Sequence, residues 1–511
     1  MRSPVSRTVA AVFGGRWRDP RHPDFWMVVL LVAALALRVA FLVQPLPWFV
    51  SMVPADDFFY YAGTAHHLAE GAGSTIDGGL TYHNGYHPLF LWLLVPGFAL
   101  GLSKTSMIFV AMAILVAAWL AAMVLARAIG VALGGTWSAL TAPAIMGLNV
   151  EFAKLSMSGF ETALVTALLL AVFLACLQRR PGWVVGLLLG LAALARLDSA
   201  MAAVPIAILF GRQRRWRELV VAGVVSMVVV SPWAIWSWAN FGSPLPLSGV
   251  VKSWFGQTAD LWRGPVVFAR ESFYRILGYN WRDVVPPEVA LAGGAIVGAE
   301  IVRRARGLEW LVVYALGAPV VFALLTGSQH VAQFSRYCVP AFVLAALLFF
   351  VTRPHGARIV LVLVVGLVLW GNVRFLDWAF SAPPLPNYVG LSHREVPAVL
   401  DEILAPEDLV GCFDSGALTY FADEPVINLD GLVNAEVVEM LAADEGGTWE
   451  RRYREYFHEK GITVIVGGTR FSWVRLFDDL DAWEVLHEPI PLGSGGEIVF
   501  LRVPDGPLPP P

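Results

Sequence analysis

Apolar runs of near-membrane length alternate with short polar islands from residue 25 to about residue 376. A helix needs roughly 20 apolar residues to cross the hydrocarbon core. By that measure candidate spans lie near 25–45, 87–103, 106–127, 136–150, 158–178, 182–196, 198–211, 217–239, 287–302, 309–326, 337–352 and 357–376. Several of them are short. Basic clusters fall at Arg7, Arg16, Arg18 and Arg21, at Arg179–Arg180, at Arg212, Arg214, Arg215 and Arg217, at Arg303, Arg304 and Arg306, and at Arg353 with Arg358. The positive-inside rule assigns these to the cytoplasm, which leaves 240–283, 327–335 and everything after about 380 outside. An inside N-terminus and an outside C-terminus require an odd number of crossings, so one of the twelve runs is re-entrant, merged or interfacial. The 87–103 run and the 136–150 run, with Pro143 in it, are the candidates. Lys104 and Arg127 cannot both be cytoplasmic if 106–127 is one full span.

Beyond 380 the pattern changes. Pro383, Pro384 and Pro386 mark a linker. Strand-like runs follow at 409–413, 425–428, 462–466, 483–486 and 497–502, with helical patterns at 393–404 and 435–459. That alternation predicts a small α/β domain. The expected organisation is a cytoplasmic segment 1–24, a transmembrane domain 25–379 with a first extracytoplasmic loop 46–86, a soluble extracytoplasmic α/β domain 380–503 and a disordered tail 504–511.

Composition agrees with a polytopic α-helical membrane protein: 57% of the residues are hydrophobic and 15% charged, with a mean hydropathy of +0.63. A soluble fold could not bury that much apolar surface. The net charge of −4 argues against nucleic acid as a partner. Cys176, Cys338 and Cys412 are far apart and suggest neither a disulfide framework nor a cysteine metal motif.

The polar islands carry the candidate chemistry. The segment from Pro54 to Leu89 holds adjacent carboxylates, Asp56 and Asp57, beside Phe58, Phe59, Tyr60 and Tyr61. Two acids there could simply begin a helix. A carboxylate half-desolvated by aromatic rings could instead serve as a general base. The knot TYHNGYHP at 81–88 brings His83, Asn84, Tyr86 and His87. Asn84-Gly85 is a turn signal, while the imidazoles and the amide could grip phosphate or sugar hydroxyls. His66 and His67 add two imidazoles, but the His and Asp spacings match no metal motif, so no metal ligands are assigned. Later islands hold Glu161, Arg196 with Asp198, Lys252, and Gln329, His330, Gln333 and Arg336. Arg196 and Asp198 could be no more than a structural pair. Their shared face predicts a pocket in which acids of the first loop meet cations of later loops. Such a pocket suits transfer from a polyprenyl-phosphate donor. The phosphate leaves once cations neutralise it, and one carboxylate deprotonates the acceptor hydroxyl. A single displacement inverts the anomeric centre, by analogy with inverting glycosidases.

These islands resemble the GT-C superfamily of integral-membrane glycosyltransferases, in particular bacterial polyprenyl-phosphate-sugar-dependent enzymes of the arabinofuranosyltransferase kind. The likeness rests on ADDFFYY (55–61), YHNGYHPLF (82–90), SGFETAL (158–164), LARLD (194–198), FGSPLPLSGVVK (241–252), RYCVP (336–340) and DSGALTYFADEPVINLDGLVN (414–434). It implies an outward-facing site in a bacterial inner membrane and a lipid-linked sugar donor. The acceptor would be a glycan, lipid or protein. By carry-over Asp56 or Asp57 is the base, with Asp56 preferred, and Lys252 and Arg336 hold the phosphate. Tyr60, His83, Asn84, His87, Glu161, Arg196 and His330 complete the donor and acceptor contacts. No cofactor follows, and a divalent cation is left open. Leu247, Ser248, Leu197 and Asp198 depart from the usual residues, which leaves the sugar unspecified. Asp414 and Asp430 are expected at turns or strand ends. Two other readings compete: an inactive scaffold of the same fold, and a transporter of lipid-linked substrates. A transporter predicts charges deep inside spans and inverted repeats, whereas the charges here cluster at span ends.

Overall fold

The computed structural model describes residues 18–256, 285–326, 331–351, 356–381, 386–442, 449–469, 483–493 and 495–504. It is mostly helical, with one five-stranded sheet. The chain forms two compact units. One comprises Met1–Val43, Met112–Trp233 and Lys252–Ala382, and the other Gln44–Ala111, Ala234–Val251 and Pro383–Pro511.

Four described helices are long and apolar enough to cross a membrane: Pro23–Leu42, Lys104–Ala132, Trp216–Phe241 and Ala357–Ser381. Trp216–Phe241 exposes Val220, Val224, Met227, Val228, Ile235 and Trp238. An apolar surface of that extent suits lipid. The two doubtful runs are both short. Pro88–Ala99 has 12 residues, about 18 Å at 1.5 Å per residue, against a hydrocarbon core of about 30 Å. The 136–150 run becomes a 3₁₀ turn at Ser138–Leu140 and an eight-residue helix, Thr141–Leu148. Pro143 is tolerated because it lies in that helix's first turn.

Several buried polar groups are satisfied inside the first unit. Arg127 pairs with Asp24 at 3.4 Å, both side chains buried. The end of the long Lys104–Ala132 helix is therefore level with the start of Pro23–Leu42. Arg127 thus lies at the same end as Asp24, and Lys104 begins that helix at its other end. Arg38 lies within a span and is fully buried, an exception to charges at span ends. Its guanidinium donates to Ser156 Oγ at 3.0 Å and to the carbonyls of Ala34 and Gly147. Backbone acceptors of this kind make an intramembrane arginine tolerable.

Close packing in the same unit rests on glycine at every fourth position. Gly182, Gly186 and Gly190 line one face of the Gly182–Ala195 helix. A Cβ at any of them would collide with the Trp216–Phe241 helix, at Glu218, Ala222 or Val229 respectively, the last at 2.7 Å. Without side chains the two backbones approach and gain dispersion contact in lipid, where no hydrophobic force draws helices together.

In the second unit the sheet contains β1 (Val410–Cys412), β2 (Val426–Asn428), β3 (Val464–Gly468), β4 (Glu484–Pro491) and β5 (Glu497–Arg502) in the order β2-β1-β3-β5-β4. β1 pairs in parallel with β2 and β3, while β5 runs antiparallel to β3 and β4. β1, β2 and β3 are buried along their whole length, so they read as continuous apolar runs rather than alternating ones. Leu391, Val396, Leu400 and Leu418 pack against Val410, Cys412, Val426 and Val464. Tyr388–Ile403, Ala435–Ala442 and Trp449–Lys460 are helical. The short Gly416–Phe421 helix was not evident from the pattern. The chain before 18 and the DGPLPPP tail lie outside the described residues.

This unit is stitched by hydrogen bonds from the C-terminal segment to the first loop and to the start of the Lys104–Ala132 helix. Asn387 Nδ2 donates to Ser51 O at 2.7 Å, Ala435 N to Tyr82 O at 3.2 Å and Tyr420 OH to Lys104 O at 2.7 Å. Loop and sheet thus hold each other in place.

Candidate active site

The helix Asp56–Glu70 opens with both predicted acids in its first turn. The partial positive charge of a helix N-terminus favours carboxylates there. Gly71, at φ 84°, ends the helix in the left-handed conformation that glycine adopts without strain. Phe58, Phe59, Tyr60 and Tyr61 are all buried. Phe59 lies 5.4 Å from the Tyr420 ring and 5.2 Å from that of Phe421, which holds the helix against Gly416–Phe421.

Asp56 receives two backbone donors. Gly416 N donates to Oδ2 at 2.9 Å and Ala417 N to Oδ1 at 2.7 Å. The approach needs glycine at 416, because a Cβ there would stand 2.8 Å from Oδ2. Burial pushes the Asp56 carboxyl up to about 8, the two N–H groups pull it down, and the neighbouring charge of Asp57 raises it further. Asp57 is half-buried beside it.

Two residues the sequence did not assign chemistry join this group. Asp430 is buried at the end of β2 and accepts from Tyr60 OH at 3.1 Å, Asp414 N at 3.1 Å and Leu432 N at 2.8 Å. Burial raises its carboxyl, against those donors. Asn428 Nδ2 lies 3.3 Å from Tyr60 OH and 3.0 Å from Ser415 Oγ. Asp414, at φ 50°, takes a left-handed conformation that few non-glycine residues adopt. The strand ends therefore carry acids, as the pattern predicted, but Asp430 also grips Tyr60. The available signal was the motif DSGALTYFADEPVINLDGLVN itself, where Asp430-Gly431 follows an apolar run.

The TYHNGYHP knot folds inward, which corrects the expectation for His83 and Asn84. His83 is fully buried. Its Nδ1 accepts from Gly85 N at 3.2 Å, so the proton sits on Nε2, 3.1 Å from Thr64 Oγ1, which in turn donates to Tyr60 O. Burial lowers this imidazole to about 3, so it stays neutral. Asn84 is also fully buried. Its amide donates to Ser237 Oγ at 2.6 Å and Leu245 O at 3.1 Å, and accepts from Leu247 N at 3.0 Å. Both side chains use their hydrogen-bonding capacity to build the loop, and neither is available to grip a ligand. A Cβ on Gly85 would overlap the Leu432 carbonyl, so this glycine serves close packing as well as turning. His87 is half-buried, and its backbone N donates to Tyr61 OH at 3.3 Å.

A second polar cluster lies in the first unit. Arg196 Nε contacts Asp198 Oδ1 at 2.6 Å, and Nη1 is 3.8 Å from Glu161 Oε1. Arg196 also donates to the carbonyls of Arg336 and Tyr337. It is fully committed to structure. Arg336 is buried, donates to Tyr337 OH at 3.0 Å and stacks 3.8 Å over the Phe160 ring. Glu161, Arg196 and Arg336 thus lie close together. The Lys252 side chain and all of His330 lie outside the described residues.

Residues 84–328 match the family model of Glycosyltransferase family 87. Residues 387–498 match a domain of unknown function, DUF8728. Two crystal structures of ArnT from Cupriavidus metallidurans share the fold. The apo form superposes with a TM-score of 0.55 at 14% identity, over 96% of this chain and 100% of that one. The form bound to undecaprenyl phosphate gives a TM-score of 0.56 at 14% identity, over 95% and 99%. The match to a glycosyltransferase family model over 84–328 and the fold shared with ArnT support a membrane glycosyltransferase. Among curated proteins none matches it in sequence. The resemblance read from the polar islands is borne out at this level. The enzyme is a multi-pass membrane protein.

Proposed function

We propose that the enzyme transfers a sugar from a polyprenyl-phosphate donor to an acceptor hydroxyl, with inversion, and that Asp57 is the base. The observation that carries the base assignment is the engagement of Asp56. Both its oxygens meet backbone N–H groups of 416 and 417, and burial raises its carboxyl. A group so held positions a loop better than it moves protons. Asp57 follows it in the first turn, where the helix N-terminus favours a carboxylate. This reverses the preference that the motif alone suggested. Asp430 holds Tyr60 on the same helix.

The lipid donor is supported by the shared fold with ArnT, one form of which was crystallised with undecaprenyl phosphate. A polyprenyl phosphate leaves without acid help when cations neutralise it. We assign that role to Arg336 and Lys252. Arg196, already balanced by Asp198 and Glu161, is assigned to positioning Arg336. The acceptor is a glycan, lipid or protein hydroxyl on the outer face of a bacterial inner membrane, with the C-terminal segment 380–503 on the same side.

The test is a panel of polyprenyl-phosphate sugars, each radiolabelled in the sugar, supplied to the purified enzyme in proteoliposomes with a membrane extract as acceptor source. At least one label should move to acceptor. Label crossing the bilayer while still attached to lipid would favour a transporter, and no movement of any label would favour an inactive scaffold.

A further inference from the structure

We infer that the groove between the Pro23–Leu42 and Lys104–Ala132 helices binds one glycerophospholipid of the bilayer, with an acyl chain along the groove and the phosphate diester against Arg127. The groove has a volume of about 270 Å³ and is lined by Leu31, Val32, Leu35, Leu120, Ala121 and Val124. Every lining residue is apolar, and Val32 and Leu35 are exposed. Both helices are long and apolar enough to cross a membrane, so this surface meets hydrocarbon and not water.

The groove has one polar end. Positions i, i+4 and i+7 share a helix face, so Leu120, Val124 and Arg127 form one stripe. Asp24, Leu31 and Leu35, at i, i+7 and i+11, form the stripe across from it. Arg127 stands about 4.5 Å along the axis beyond Val124. At this end Trp26 is exposed, and its Nε1 donates to Pro20 O at 2.9 Å. Tryptophan collects at the level of lipid headgroups, so the polar end lies where phosphates lie.

Arg127 has hydrogen-bonding capacity to spare. Its side chain is buried, and its contact with Asp24 is made through Nη2 at 3.4 Å. A guanidinium–carboxylate bond normally closes to about 2.7–2.9 Å. Nε and Nη1 are buried and meet no acceptor among the described residues. Buried donors without an acceptor cost stability. Arg38, on the Pro23–Leu42 helix, is the contrast, since it spends all three nitrogens on Ser156 Oγ and backbone carbonyls. Asp24 holds the Arg127 guanidinium from one side and leaves two nitrogens for phosphate oxygens, which arginine binds well. Basic groups between transmembrane helices are suited to lipid headgroups.

The length of the groove selects the lipid. From Asp24 to Leu35 is about 17 Å of helix, and one leaflet contributes about 15 Å of hydrocarbon. That is the reach of one acyl chain, not of a far longer polyprenyl chain. The inference is independent of the base assignment.

The experiment uses the full-length enzyme, delipidated in detergent and titrated with dioleoylphosphatidylglycerol, with bound lipid counted by native mass spectrometry. About one lipid per chain should survive the activation that strips the rest. Dioleoylglycerol, which lacks the phosphate, and glycerol phosphate, which lacks the chains, should not displace it. Asp24→Asn/Arg127→Gln removes the charges as a pair and should weaken retention about tenfold or more, the usual worth of a hydrogen bond to a charged group. Val32→Trp fills the groove from its exposed side, leaves the buried charges untouched and should also abolish the retained lipid, which decides the matter if the double variant fails to fold. Retention equal to the wild type in Val32→Trp or in a folded Asp24→Asn/Arg127→Gln would overturn the inference. So would displacement by dioleoylglycerol, by glycerol phosphate or by equimolar undecaprenyl phosphate.

Discussion

Asp56, half-buried at the start of its helix, and His83, fully buried in the knot that follows, respond to pH in opposite directions. Burial raises the Asp56 carboxyl from its ordinary value to about 8. The folded chain therefore binds more protons than the unfolded chain between about pH 4 and about pH 8, and stability falls as pH rises through that window. His83 is lowered to about 3, so its contribution is lost as pH falls from about 6.5 toward 3. Melting of the enzyme in detergent should show the alkaline loss, and Asp56→Asn should reduce its slope. Identical slopes in the two proteins would mean that Asp56 is ionised in the fold throughout. The sequence displayed Asp56 and Asp57 plainly, because an acid pair stands out among aromatic and apolar neighbours. It did not display Asp430 as their partner, since Tyr60 and Asp430 are 370 residues apart and only the fold joins them. His83 and Asn84 looked like ligand groups for a related reason. A polar loop reads as exposed until the residues that cover it are known, here Thr64, Ser237 and Leu245.

Element lengths explain most of what could and could not be read. The long apolar helices and the buried central strands were legible because each is a continuous run with a clear end. The runs at 87–103 and 136–150 were ambiguous because composition does not reveal that a helix stops after 12 or eight residues. Gly416–Phe421 escaped because six residues show no period. The Gly182, Gly186 and Gly190 stripe was visible as letters, but its meaning depends on the helix it faces. Gly186→Ile should force the backbones apart and cost about 1–3 kcal/mol, the usual penalty of overpacking. A lowered melting temperature with secondary structure retained is the expected result. An unchanged melting temperature would show that the close approach at Ala222 is not required.

Across the whole molecule, sequence patterning, a match to Glycosyltransferase family 87 over residues 84–328 and an ArnT-like fold agree on a membrane glycosyltransferase. The structure adds an internal logic to the second unit. The C-terminal segment supplies the backbone donors that hold Asp56 and the carboxylate that holds Tyr60, so the first loop's acids depend on a sheet far away in sequence. The central claim is that Asp57 takes the acceptor's proton while Asp56 is held by the C-terminal segment. It is tested most directly by the kinetics of Asp57→Asn with a transferable polyprenyl-phosphate sugar, alongside Asp56→Asn. Loss of a general base lowers kcat by roughly 10²–10⁴-fold. The account predicts a loss of that size for Asp57→Asn, with KM for the donor nearly unchanged, and a smaller loss for Asp56→Asn. Full turnover by Asp57→Asn would contradict it.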